Sequence, residues 1–198
     1  MVLTPIIGIV FKRFTTPEDE KLSDQVKVAN GLTGKVLIIG FGRFGQVASQ
    51  LMLARNVDIT IIDTDVNMIQ NAEKFGFDVY YGDGSRLDIL HASGADTAEA
   101  ILICVDKKET VNKIAELVSV EFPLAKLIVR SYDREHSLYL AKHNVDFMVR
   151  ETFESAMLFG QIALEQIGVS HEEIEQLSED IRSLDNQRFE TEIAADDV

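Results

Sequence analysis

From Lys35 onward, short β-branched apolar runs alternate with stretches in which apolar residues recur at helical spacing. Val36–Ile39 reads as a buried strand, followed by a helix over about Gly45–Ala54 with Val47, Leu51 and Ala54 on one face. The pattern then predicts a strand over Asp58–Ile62 and a helix over Val66–Phe75, with Ile69, Ala72 and Phe75 at helical spacing. Val79–Tyr81 is a third strand, Leu87–Ala92 a short helix and Ala100–Val105 a fourth strand. Glu109–Phe122 turns Val111, Ile114, Ala115 and Val118 inward; strand Leu127–Arg130, helix Glu135–His143 and strand Val145–Val149 complete the series. Strands alternating with helices predict an α/β class, a doubly wound parallel sheet of about six strands.

After Arg150 the alternation stops. Thr152–Ile167 is a long helix with Phe153, Met157, Gly160, Leu164 and Ile167 in a heptad-like stripe. Beyond Gly168 a second helix carries Ile174, Leu177, Ile181 and Leu184 at similar spacing. The two helices either pack on the sheet or each other, or cross to a second subunit; appended to a finished sheet they have no obvious place in its core, so the pattern favours dimerisation through helix 152–167. The fold class is therefore a sheet followed by a crossover helix and a peripheral C-terminal helix. Phe189–Val198 is acidic and expected to fray.

Residues 15–34 are polar, with Thr-Thr-Pro-Glu-Asp-Glu and Asn-Gly-Leu-Thr-Gly, and read as a linker. Residues 1–14 are apolar and then basic, too short for a full bilayer span of ~20 residues. They fit either the end of a longer transmembrane helix, with Lys12-Arg13 on the cytoplasmic side, or an N-terminal arm.

Composition narrows the function. The 198 residues carry a net charge of −14, which repels a nucleic-acid partner. Cys104 is the one cysteine, so a disulfide framework is excluded, and it reads as a small core residue. The four histidines are scattered and no metal-ligand spacing occurs.

The chemistry concentrates where the first strand meets its helix. Gly40-Phe41-Gly42-Arg43-Phe44-Gly45 is a GxGxxG in strand–turn–helix context. Gly40 permits the tight turn, Gly42 lets a pyrophosphate approach the backbone, and Gly45 lets helix and strand pack closely. The phosphate belongs at the helix N-terminus, where free N–H groups and the dipole favour anions. Asp63 ends the second strand 18 positions after Gly45, close to the ~20 expected of a ribose-binding acid. A carboxylate there accepts from both ribose hydroxyls and repels a 2′-phosphate, so AMP or NAD(H) is expected over NADP(H). Asp83, after the third strand, lies at the same sheet edge, either facing adenine or serving the Gly-Asp-Gly-Ser turn. Arg43 is placed to reach a phosphate; Arg130, at the end of the fifth strand, and Arg150, just after the sixth, also lie on that edge. This is the Rossmann pattern. A dehydrogenase would need an acid or base on a further domain, and the residues after Arg150 read as two helices with no such pair. The site therefore reads as a binding site, not an enzyme's.

GKVLIIGFGRFG, IIDTD, YYGDGSRLDIL and the Arg-Glu-Thr-Phe-Glu that opens the long helix together resemble the RCK/KTN (TrkA-N) regulatory domains of potassium transporters. Among these they are most similar to the cytoplasmic domains of Kef-type glutathione-gated potassium efflux systems. The resemblance implies a homodimer that binds AMP or NAD(H) and gates a K⁺/H⁺ antiporter domain at the cytoplasmic face of the bacterial inner membrane. It implies nucleotide contacts from Gly40, Gly42, Arg43, Phe44, Gly45, Asp63, Asp83, Gly84 and Ser85. It also implies glutathione as an effector at Arg150, an aromatic at Phe75 that bulky adducts displace, and an ancillary oxidoreductase-like subunit. It favours the transmembrane reading of residues 1–14, with residues 35–150 as the nucleotide-binding domain and 151–198 as dimerisation helix, peripheral helix and tail. Gln50 and Asp185 depart from the family's Arg and Asn and weaken an interaction with a glutathione carboxylate. The alternatives are a soluble TrkA-like channel subunit and a small NAD-dependent oxidoreductase.

Overall fold

A computed structural model describes residues 26–196. The reading of residues 1–14 and the first part of the 15–34 linker fall outside the described residues. The fold is α/β with six parallel strands and flanking helices, the doubly wound Rossmann architecture. Two compact units divide after Leu127, inside the fifth strand.

The first unit holds β1 (Val36–Ile39), α1 (Arg43–Ala54), β2 (Ile59–Asp63), α2 (Val66–Lys74), β3 (Tyr80–Tyr81), α3 (Leu87–Ala92), β4 (Ala100–Ile103) and α4 (Lys108–Glu121). Its strand order is β3-β2-β1-β4. β1 is central, with Val36 opposite both Ile59 and Ala100, and Ile39 opposite Ile62 and Ile103. Leu37, Ile38 and Ile39 are buried, as an apolar run covered on both faces requires. The chain runs outward from β1 to β3 and then crosses to β4 on the other side of β1. The topological switch point, where such sheets bind ligands, therefore lies between β1 and β4.

Val47, Leu51 and Ala54 share one face of α1, and that face points outward: Val47 and Leu51 are 66% and 75% exposed, whereas Gly45 and Ser49 are buried. Gly45 fixes the rotation of α1, because a Cβ there would stand 2.2 Å from the Gly40 carbonyl oxygen. Positions two residues on lie about 200° round the helix and so face out. The described part of the linker is also more than a tether. Val26 and Ala29 are buried, and Val28 bridges Tyr81 in parallel. The Tyr81 N–H donates to the Lys27 carbonyl and the Ala29 N–H to that of Tyr81.

The second unit holds most of β5 (Lys126–Ser131), then α5 (Arg134–Ala141), β6 (Phe147–Arg150), α6 (Glu151–Gln166) and α7 (His171–Asp196). β5 and β6 pair in parallel, with Ser131 opposite Arg150. Because the last strands and last helices pack as one unit, the division falls earlier than the change of sequence pattern at Arg150. α6 buries none of its residues fully, and Leu158, Phe159, Ile162 and Ile167 are exposed. In α7 only Ile174 and Ser178 are buried among the described side chains. The half-buried positions then continue as Arg182, Asp185, Phe189 and Ile193, so the expected stripe of Leu177, Ile181 and Leu184 lies exposed. Polar pairs set this rotation: Gln161 Nε2 donates to Ser178 Oγ at 2.8 Å, and Arg182 clasps Glu154. The expected fraying from Phe189 is also corrected. α7 continues to Asp196, with Glu192 bound to Arg134 at 2.8 Å and Phe189 beneath the same guanidinium.

Candidate functional site

The carboxyl ends of β1, β2 and β4 and the turn after β3 enclose a cleft of about 520 Å³. Gly40, Gly42, Asp63, Asp83, Gly84 and Ser85, all singled out in the sequence, line it. Gly40 adopts φ +98°, a left-handed conformation that a side chain rarely takes. Gly42 is the N-cap of α1, and a Cβ there would meet nothing within 4 Å. No side chain caps α1, whereas Asp65 caps α2 by accepting from the N–H groups of Asn67 and Met68. A helix start of this kind suits a phosphate.

Arg43, Phe44 and Gly45 do not line the cleft. Arg43 is exposed at the first position of α1, Phe44 packs against the core, and Gly45 is buried under the turn. Gly45 shapes the turn, since a Cβ there would stand 2.2 Å from the Gly40 carbonyl oxygen. Asp83 serves the turn, its Oδ1 accepting from the Ser85 N–H at 2.9 Å, and it also lines the cleft. Gly84 is also a packing glycine, since a Cβ would stand 2.5 Å from Ile39 Cγ2. Ser85 Oγ accepts from Lys113 Nζ at 3.3 Å.

Asp63 is held by two backbone donors. Its Oδ2 accepts from the Phe41 N–H at 2.6 Å and its Oδ1 from the Asp65 N–H at 2.8 Å. Sequence reasoning missed Asp65, Lys107 and Thr110, which also line the cleft. The signal was present: Lys107 and Thr110 open the helix after the fourth strand, on the far side of the switch point.

The expected effector residues fall in both units. Gln50 and Phe75 are on the first, Gln50 exposed on α1 and Phe75 80% exposed just past α2. Arg150 and Asp185 are in the second and are brought together. The Arg150 Nη1 donates to Asp185 Oδ1 at 3.3 Å, and its Nη2 donates to Oδ2. Arg134 Nη1 donates to the same Asp185 Oδ1 at 2.8 Å. The side chains of Arg150 and Asp185 are only 18% and 16% exposed. The Arg150 guanidinium stacks 4.3 Å from the centroid of Phe153. Arg182 forks onto Glu154, with both bonds at 2.8 Å. That hydrogen bond holds the Glu154 carboxyl below its usual range and the Arg182 guanidinium above its own. The Glu192 bond likewise raises Arg134. Arg130 pairs with Glu151. A cavity of about 320 Å³ lies among Arg150, Phe153, Arg182, Asp185 and Phe189.

The glycine turn, the acid at the end of β2 and the uncapped helix start at a switch point define a Rossmann domain of the nucleotide-binding kind. The family comparison agrees: the TrkA-N domain model matches residues 36–151, and the chain belongs to that family. It is 35% identical over 198 residues to a glutathione-regulated potassium-efflux system protein of Haemophilus influenzae, covering 98% of this chain and 32% of that one. The chain thus spans about a third of such relatives. The Kef C-terminal domain of Shewanella denitrificans, solved in an AMP-bound form, is 32% identical with a TM-score of 0.73, covering 81% of this chain and 98% of that one. The GsuK channel, solved with NAD, shares the fold alone, at 17% identity and a TM-score of 0.60, covering 81% of this chain and 29% of that one.

Proposed function

We propose that this chain is the ligand-gated regulatory domain of a Kef-type K⁺/H⁺ antiporter, and that it binds AMP or NAD(H). The observation that carries the reading is Asp63 fixed at the mouth of the glycine turn, beside an uncapped helix start. The AMP-bound Kef domain supports it. The domain works at the cytoplasmic face of the inner membrane, joined to an antiporter domain. It gates by binding its ligand unequally in two conformations, since equal affinity shifts nothing. It catalyses no reaction.

The functional unit is a homodimer formed through helix 152–167, with an ancillary oxidoreductase-like subunit as a further partner. The exposed Leu158, Phe159 and Ile162 support the dimer. Replacing Phe159 by Glu leaves thermal stability within ~0.5 kcal/mol of wild type and yields monomer in sedimentation, whereas an unchanged dimer removes α6 from the interface. Glutathione acts weakly here, because Asp185 already occupies Arg150.

Thermal shift and calorimetry with AMP, NAD, NADH, NADPH, glutathione and a bulky glutathione adduct test the whole reading. A ligand at 100 times its Kd stabilises by about 2.7 kcal/mol. Binding of AMP or NADH over NADPH, weakened in Asp63→Ala, is expected. If no nucleotide moves the transition, the regulatory reading loses its basis. Arg150→Ala is expected to remove any glutathione response and spare AMP binding.

A further inference from the structure

The two halves of α7 are held by different means. In the inner half Ile174 and Ser178 are buried, and Ser178 Oγ accepts from Gln161 Nε2 at 2.8 Å. Those contacts are apolar or neutral. In the outer half the inward positions are Arg182, Asp185, Phe189 and Ile193, all half-buried. The pairs that hold this half are charged. Arg134, which opens α5, donates from Nη1 to Asp185 Oδ1 and from Nε to Glu192 Oε2, both at 2.8 Å. The two carboxylates stand about two helical turns apart, so one guanidinium pins both. Arg150 also pairs with Asp185, and Arg182 reaches back to Glu154 on α6. Phe189 lies beside the cavity of about 320 Å³ and under the Arg134 guanidinium rather than in a filled core.

We infer that the outer half of α7, residues 182–196, is a latch that ionic strength opens: raised salt screens its pairs to Arg134, Arg150 and Glu154 and releases these turns, while residues 171–181 stay docked. The reach of a charge shrinks from about 8 Å at 0.15 M salt to about 3 Å at 1 M, and exposed pairs are screened most. Glu192 and Glu154 are each 45% exposed and Arg182 42%, against 18% and 16% for Arg150 and Asp185. Release therefore begins at the exposed pairs and ends at Asp185.

Two features favour opening once the pairs weaken. Arg134 Nη2 is buried with no hydrogen-bond partner among the described residues, a cost that water removes on release. An isolated helix of ~15 residues is marginal in water, so the released turns also unwind. Opening bares Phe153, Phe189 and the Arg150 guanidinium. On the transport reading proposed above, ion movement itself alters the variable that the latch registers. The latch stands on the geometry of the second unit and does not need that reading.

The test is amide hydrogen exchange on the full chain at about 0.15 M and about 1 M KCl. Residues 174–181 of the same helix serve as the internal reference. Exchange in residues 185–196, relative to that reference, is expected to rise at least about threefold, the scale of losing exposed ion pairs. Sodium chloride at equal strength is expected to act alike, and a response to potassium alone overturns screening as the cause. Arg134→Gln is expected to speed exchange of residues 185–196 at low salt and to converge with wild type at high salt. Glu192→Gln, which removes one exposed carboxylate without touching the core, is expected to converge likewise over residues 189–196, and it decides the matter if Arg134→Gln does not fold. An unchanged ratio at high salt, equal acceleration of both halves, or a variant that keeps the full wild-type salt response overturns the latch.

Discussion

The nucleotide cleft of the first unit and the arginine–carboxylate cluster of the second use opposite materials. The cleft is built from backbone: glycines that permit a turn, an uncapped helix start, and one carboxylate fastened by two peptide N–H groups. The cluster is built from long side chains, Arg134, Arg150 and Arg182 against Glu154, Asp185 and Glu192, several of them open to solvent. Backbone geometry is set by residues close in sequence and tolerates little change. Ion pairs between side chains join distant residues and exchange partners at small cost. The cleft is therefore a rigid feature of the fold, and the cluster an adjustable one.

The sharpest way to break this contrast is a pair of glycine changes. Gly45→Ala forces a Cβ to within 2.2 Å of the Gly40 carbonyl oxygen, a backbone atom that cannot swing aside. The expected cost is about 3 kcal/mol, a fall in Tm of roughly 6–12 °C for a chain of this size, with loss of AMP binding. Gly42→Ala meets nothing within 4 Å, and its φ of −63° suits any residue. Its stability stays within ~0.5 kcal/mol of wild type, and AMP affinity falls because the new methyl group stands where the phosphate comes. Calorimetric melting and titration on both variants check this. Equal destabilisation by the two would mean that the turn is not built as described.

The same contrast explains what the sequence made legible. Strand, glycine turn, helix and terminal acid are neighbours along the chain, so spacing alone located Gly40, Gly42 and Asp63. The rotation of α1 was not legible, because helical spacing shows which residues share a face but not which face is inward. A single close contact at Gly45 decided that, against the apolar preference of Val47 and Leu51. In α7 the decision rested on Gln161–Ser178 and Arg182–Glu154, pairs 17 and 28 residues apart that no local pattern reveals. The tail stayed helical for the same reason: Arg134, 58 residues upstream, holds Glu192. Arg150 was singled out by its place at the sheet edge and Asp185 through family resemblance, and only the structure shows that they bind each other.

An intermediate effect is expected in the cluster. Asp185→Ala leaves Arg150 and Arg134 without the carboxylate they share, and the Arg150 side chain is only 18% exposed. The cost is about 1.5–3 kcal/mol, seen as a lower urea midpoint with an unchanged slope. AMP affinity is expected to stay at the wild-type value. Asp185→Asn removes the negative charge beside Arg150 while keeping an acceptor, so glutathione is expected to bind it about tenfold more tightly than wild type. If glutathione binding does not respond to this change, Arg150 is not an effector contact, and the cluster is purely structural.

The smallest effect is a pH dependence confined to the cluster. Glu154 is held below its ordinary range by its hydrogen bond to Arg182. A carboxyl whose folded pKa is depressed contributes stability above its unfolded pKa and loses it as pH falls through the folded value. The contribution is therefore complete above about pH 5 and declines below about pH 4.3, the ordinary glutamate value. Arg182 is raised by the same bond, so its share is present below its unfolded pKa and is lost only in strong alkali, outside any working range. Glu154 and Arg182 are 45% and 42% exposed, and solvent screening limits the pair to under about 1 kcal/mol. Glu154→Gln is expected to lower stability slightly at pH 7 and to flatten the acid limb of the urea-midpoint profile between pH 5 and about pH 3. Gly42→Ala, whose change lies in the cleft, is expected to keep the wild-type acid limb. An acid limb unchanged in Glu154→Gln would mean that the Arg182 fork is too exposed to register, leaving Asp185 and Glu192 as the carboxylates that hold α7 in place.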